Sequence, residues 1–428
     1  MKKLILIILT IFLILGINVT HVFLESNQKS KNEVTFLTIA GGYELEIMEK
    51  MFEPFEKKTG IDVILESTGD ADNLIVIRVE AGNPPDVANI GSYGLIREFE
   101  ERNKIIDMSE FLDMEKLDDE FSRTWIDLGT INNKLVAVFW KSVIKGLIWY
   151  NPKSLLKYKI NIPSTWDELI NISEILKNQG ITPWTMGLEE GSWSGWCGTD
   201  WIEDILLRKY GPKKYIEWYQ GKLKFSSEEV RDSWLEWGKI AADDEMQYGG
   251  RIYSISTDLM SAVSPLFDSP VNAFFHHQAL FLLSGLKEYY PNSKPIEDYN
   301  FFEFPIINED YKNVAQISAD SLIMFNDSPQ VRELVKYMIS PEAQSYWASS
   351  SNALPPNKKV SLDIYNDELM KKAYKILSES EHIVFDASDL MPPQLYDAFH
   401  KAVLDYMDNP KKLNQILFEL DNIQLKAY

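Results

Sequence analysis

A chain of 428 residues is too long for one ordinary domain and suits two lobes, and its 45% hydrophobic and 25% charged content is that of a folded globular protein. A formal net charge of −21 excludes nucleic acid and an anionic membrane surface as main partners, because both require basic surface. The single cysteine, Cys197, excludes an internal disulfide and a cysteine metal cluster.

Lys2 and Lys3 precede an apolar run from Leu4 to Val19, the pattern of an export signal. The residues that follow lack a small-x-small cleavage pattern, so 1–24 reads as an export signal or a retained N-terminal anchor. No cysteine follows the run to carry a lipid. No other segment is long and apolar enough to span a bilayer, which puts the mature body outside the cytoplasm as a soluble protein.

Val34–Ile39 is a short β-rich run, and Leu45, Met48, Met51, Phe52 and Phe55 then recur at helical spacing up to Gly60. Ile61–Leu65 predicts a second strand, Leu74–Glu80 a helix and Asp86–Ile90 a third strand. Leu135–Phe139 and Leu147–Tyr150 are further runs of strand length. Strands alternating with amphipathic helices imply an α/β sheet with ligands at the carboxyl ends of its strands.

From Asn151 the pattern turns helical. Thr165 and Glu168 form a capping box opening a helix with Trp166, Leu169, Ile172 and Leu176 on one face. Thr199 is the expected cap of the next helix, and further helices are predicted at Pro212–Gln220, Glu228–Ala242 and Phe275–Leu286. Asn313–Phe325 reads as strand again, before helices at Pro329–Ile339, Asp367–Ser380 and Pro393–Met407. The expected organisation is lobe I from 33–145 plus 305–345, and helix-rich lobe II from 146–304 plus 346–428. Two or three crossing segments would make a hinged cleft between them.

The densest chemistry begins at Trp193, in WSGWCGTDWIED. Trp193, Trp196 and Trp201 offer flat apolar faces, while Asp200, Glu203 and Asp204 offer acceptors for hydroxyls. Sugars need both, although a Trp-rich core turn with a capped helix has the same composition. Gly69-Asp70-Ala71-Asp72 follows the second strand and reads as a binding loop or as a turn with a helix cap. Gly91-Ser92 has the same position after the third strand. Lys141 and Lys145, near the first crossing, can donate to ligand hydroxyls, pair with a cleft aspartate or be solvated. His276 and His277 are adjacent and diverge, without the spacing of a metal site, so no metal or other cofactor is expected; a hydrogen-bonding role at the cleft remains for them. Asp70, Asp200, Asp268, Asp320, Asp386 and Asp389 could serve an exported glycoside hydrolase, but nothing marks any of them as a raised-pKa acid, and no nucleophile or nucleotide motif occurs.

Several longer pieces carry a resemblance: FEPFEKKTGIDV, GNPPDVANI, KLVAVFWKSVIKGLIWYNP, PSTWDEL and YMISPEAQSYW. With them, the chain from about Val34 to its end resembles the extracellular solute-binding proteins of carbohydrate ABC transporters (the family 1 sugar binders). GWCGTDWIEDILLRKYGPKKYIEW, SPLFDSP, HHQALF, DYNFFEFPI and FDASDLMPPQL make it similar to the α-glucoside branch, which includes binders of glucosylglycerol, sucrose and trehalose. The resemblance implies a two-lobed periplasmic-binding-protein fold (type II-like). It implies a monomeric receptor without catalytic activity that delivers an α-glucoside to a membrane permease. It places Asp70 in an acidic loop, Lys141 in the crossing motif, Trp196 and Asp200 in the GW-x-x-TDW motif and Asp386 in FDASD. It puts His277 at the branch's histidine step, and Asp320 in a segment with Ala319 where glycine is usual. Trp140, where Phe or Tyr is common, would narrow the cleft.

Overall fold

The computed structural model describes residues 32–428; the expected export segment 1–24 lies outside them. Eleven strands occur among the described residues: β1 (Glu33–Thr38), β2 (Asp62–Ser67), β3 (Val87–Ile90), β4 (Thr130–Ile131), β5 (Lys134–Leu135), β6 (Val138–Ile144), β7 (Leu147–Tyr150), β8 (Phe275–Gln278), β9 (Asn300–Glu303), β10 (Val314–Met324) and β11 (His382–Phe385). They build a six-stranded sheet, a small hairpin of β4 and β5, and a three-stranded sheet ordered β8-β7-β9. Each larger sheet is the centre of one lobe.

The first sheet runs β11-β10-β3-β1-β2, with β6 also paired to β10. β1 pairs in parallel with β2 and β3, as βα units require. β10 runs antiparallel to β3 and β6 but parallel to β11. Successive residues of β1 face opposite cores: Phe36 packs with Met51 and Phe52, and Leu37 with Ile75 and Phe99. The second lobe packs helices around its sheet in a large aromatic core containing Trp184, Trp201, Trp218, Trp234 and Trp237.

The chain passes between the sheets at three points: between β6 and β7, between β9 and β10, and directly after β11. The last of these corrects the expected division. Residues 346–428 do not all lie in lobe II, because β11 adds to the free flank of β10 and the helix Pro341–Ser351 sets Trp347 in the first-lobe core against Trp140. Two local expectations also change. Phe275–Gln278 is a buried strand, and the helix there starts only at Leu282, because β7 pairs with the whole segment. Thr199 lies inside its helix and returns its hydroxyl to the Trp196 carbonyl, since the helix Trp196–Tyr219 opens three residues earlier. The Thr165–Glu168 capping box forms as read.

Among the described residues, no helix is long and apolar enough to cross a membrane.

Candidate functional site

A cavity of about 720 Å³ opens between the lobes, within the usual range for small-molecule sites. Ile39, Glu44, Gly69, Gly91, Lys141 and Asp320 line it from the first lobe. Trp193, Trp196, Asp200, Met260, Phe281, Tyr396 and His400 line it from the second, and Lys145 and Asp386 stand at crossings.

Lys141 reaches this wall through a β-bulge. Along β6 and β10, Lys141 pairs with Asp320 and Phe139 with Ser321, which leaves Trp140 as the extra residue. Trp140 therefore turns into the first-lobe core, edge-on to Trp347 with ring centroids 4.5 Å apart, and does not narrow the cavity. Lys141 lines the cavity, with Nζ 5.1 Å from the Trp347 ring centroid, 3.1 Å from Asp320 and 3.3 Å from Glu44. Burial opposes its charge, but these two carboxylates outweigh burial and hold it protonated.

The second-lobe wall depends on Gly195. Its φ is +105°, and a Cβ there would sit 2.3 Å from the His400 carbonyl oxygen, so only glycine lets the helix start this close to the helix Pro393–Asp408. The tight start presents Trp196 and Asp200, four residues apart, on one face toward the cavity. Trp193 precedes them and stands edge-on to Tyr396, with its indole 3.6 Å from where a Cβ on Gly91 of the opposite lobe would lie.

Lys145 joins the halves. Its Nζ is 2.9 Å from Asp200, pairs with Asp386 and lies 5.1 Å from the Trp196 ring centroid. Burial raises Asp200 to about 8. Asp386 is held down at about 2: Lys145, Ser388 and the Asp389 amide offset its burial. Burial and the neighbouring Asp386 push Asp389 well above the usual carboxylate range. The group thus retains protons near neutrality, as crowded buried carboxylates must.

Of the residues singled out in the sequence, Lys141, Trp193, Trp196, Asp200, Asp320 and Asp386 meet at this one cavity. Three do not. Asp70 is exposed and accepts from Asn73; its neighbour Asp72 is the one turned inward, taking the amides of Gly91 and Ser92. Burial raises Asp72 to about 6. Trp201 is one residue beyond Asp200 on the helix and so points into the core against Trp184 and His277. His277 is buried with it and donates from Nε2 to Asp204 at 2.8 Å, which occupies the ring away from the cavity.

Glu44, Glu190, Tyr396 and His400 also line the cavity, without a sequence motif that marks them. Tyr396 and His400 sit four residues apart on the helix after FDASDLMPP, a spacing visible in the sequence, but nothing local tied that helix to Trp193. Among the described residues, no cluster of His, Cys, Asp and Glu has the arrangement of a metal site.

The sequence model for bacterial extracellular solute-binding proteins matches residues 41–345. An osmoprotective compounds-binding protein of Synechocystis sp. is 31% identical over 395 residues, covering 91% of this chain and 93% of the relative. An alpha-glucosides-binding periplasmic protein of Rhizobium meliloti is 31% identical over 385 residues, covering 87% of this chain and 83% of its own length. Among solved structures, a chitin oligosaccharide binding protein superposes with a TM-score of 0.80 at 16% identity, over 92% of this chain and 98% of the other. A maltose-bound T. maritima protein superposes with a TM-score of 0.72 at 18% identity, over 92% and 100%. At these identities the structures carry the two-lobed fold alone.

Proposed function

The chain belongs to the bacterial extracellular solute-binding proteins, and we propose that it captures an uncharged α-glucoside, of glucosylglycerol, sucrose or trehalose type, between its lobes. As a member of that family it is the extracytoplasmic binding component of an ABC transporter, with a sugar as ligand and the membrane permease as partner. The family binds its solutes without cutting them, which leaves the glycoside hydrolase alternative unsupported. The proposal further takes residues 1–24 as an export signal or membrane tether and the receptor as a monomer.

One observation carries the ligand reading: seven carboxylates line the cavity (Glu44, Glu190, Asp200, Glu288, Asp320, Asp386 and Asp389) against two lysines. Each lysine is already held by two of those carboxylates. Such a wall is rich in carboxyl oxygens and, among the described residues, offers an anion no unpaired lysine, so it suits a ligand that brings many O–H donors and no negative charge. Trp193, Trp196 and Phe281 supply apolar faces for the C–H side of a sugar ring. The names of the two relatives near 31% identity agree with a glucoside or compatible solute.

Thermal-shift screening of glucosylglycerol, sucrose, trehalose and maltose tests the reading. At least one should stabilise the protein increasingly with concentration. A flat response to all four would remove the α-glucoside assignment.

A further inference from the structure

The WSGWCGTDWIED segment holds more carboxylates than the cavity uses. Glu203 and Asp204 fall three and four residues after Asp200, hence on its side of the helix. Only Asp200 lines the cavity. The other two lie fully buried behind it, where all three crossings converge.

Glu203 bonds to two of the crossings and sits beside the third. Gln316, at the start of β10, donates Nε2 to it at 2.6 Å. The amides of Ala387 and Ser388, just past β11, donate at 2.7 and 3.1 Å, and Tyr215 donates its hydroxyl at 2.9 Å. The crossing between β6 and β7 is tied in through Gln316, whose carbonyl accepts the Lys145 amide at 2.9 Å. Asp204 abuts the next residue: a Cβ on Gly146, where φ is +68°, would lie 2.6 Å from its carboxylate. The Asp386 amide in turn donates to Ile317 of β10 at 2.8 Å.

We propose that Glu203 is a positioning residue for ligand capture: without touching the ligand, it fixes the crossings to the second-lobe helix, so that closure brings Lys141 and Asp320 into register with Trp196 and Asp200. The proposal rests on the solute-binding reading above. The chemistry of the acceptor makes it specific. Three donors converge on Oε2 and the Ser388 amide on Oε1; an amide in place of the carboxyl keeps one oxygen and turns its NH2 toward the Ser388 amide.

Glu203→Gln is therefore the discriminating variant, with Gln316→Leu as a second that removes one donor and keeps the strand's backbone bonds. Trp234→Phe, in the second-lobe core away from the hinge, serves as the control for general destabilisation. The first readout is amide hydrogen exchange without ligand. In Glu203→Gln the Ser388 amide should lose protection, while in Trp234→Phe it keeps it. The second readout is affinity for whichever panel sugar binds the unmodified protein. It should fall about tenfold or more in both hinge variants, as for leaving buried hydrogen-bonding groups unsatisfied, with the change mainly in dissociation rate. Unchanged protection in Glu203→Gln, or affinity equal to that of the Trp234→Phe control, overturns the proposal. If no panel sugar binds the unmodified protein, the ligand reading fails, and the exchange comparison still decides the role of Glu203.

Discussion

Lys145 and Asp200 lie 2.9 Å apart, the lysine at the first crossing between the lobes and the aspartate on the second-lobe helix that walls the cavity. Asp386 grips the same lysine from the third crossing. One ion cluster is thus both cavity wall and hinge, so a ligand that touches Asp200 or Asp386 acts on the groups that set the angle between the lobes.

This cluster makes stability depend on pH in a defined direction. Asp200 is raised by burial to about 8, so the folded protein holds that proton more tightly than the unfolded chain. Stability from this group is lost as pH rises between its ordinary value of 3.8 and about 8. His276 and His400, lowered by burial to about 4, pull the opposite way below their ordinary 6.5. Above pH 6.5 only the carboxyl effect remains, and stability should fall by about 1–2 kcal/mol by pH 8. Chemical denaturation across this range should show the slope, and Asp200→Asn should make it shallower, with Asp389 still contributing in the same direction. A stability that rises with pH there would contradict the assignment.

Trp196→Ala should weaken sugar binding by about 2–4 kcal/mol, as for a desolvated aromatic anchor. Isothermal titration of the variant against the best panel sugar reads this directly. Affinity within threefold of the unmodified protein would move the sugar-stacking face elsewhere.

Trp201→Ala should act on the fold instead. Trp201 is 1% exposed and packs on Trp166, Trp184 and His277. Its truncation should cost about 3–5 kcal/mol of stability in a denaturant titration. A loss below about 1 kcal/mol would mean that the ring is not the core element described.

Asp70→Ala and Asp320→Ala form a contrasting pair. Asp70 is exposed and away from the cavity lining, so its removal should leave sugar affinity within threefold. Asp320→Ala strips Lys141 of one of its two carboxylates at the cavity wall and should weaken binding by about 1–3 kcal/mol. Equal effects of the two changes would contradict the placement of Lys141 and Asp320 in the site.

These contrasts mark where sequence reading succeeds and where it stops. The β1–β3 alternation and the Thr165 capping box are local patterns and emerge as read. Trp196 and Asp200 share a cavity because residues four apart on a helix share a face. The same rule excludes Trp201, one position on, which the tryptophan-rich composition had grouped with them. Asp70 and Asp72 are separated by a helix start that decides which of them turns inward, and composition does not resolve such a choice. The bulge that sends Trp140 into the core depends on pairing with a strand nearly 180 residues later. Lys145 was visible near a crossing, but its bonds to Asp200 and Asp386 join segments 55 and 241 residues away. Tyr396 and His400 come to the cavity only because Gly195 lets two helices touch.

The most direct test of the account is a calorimetric titration of the purified soluble protein with glucosylglycerol or trehalose beside glucosylglycerate, the carboxylated counterpart of the first. Saturable one-to-one binding of the neutral compound, with the acid bound at least about a hundredfold more weakly, is the predicted result for a cavity whose lysines are already paired. Equal or tighter binding of the acid would contradict an acceptor-lined cavity built for an uncharged α-glucoside.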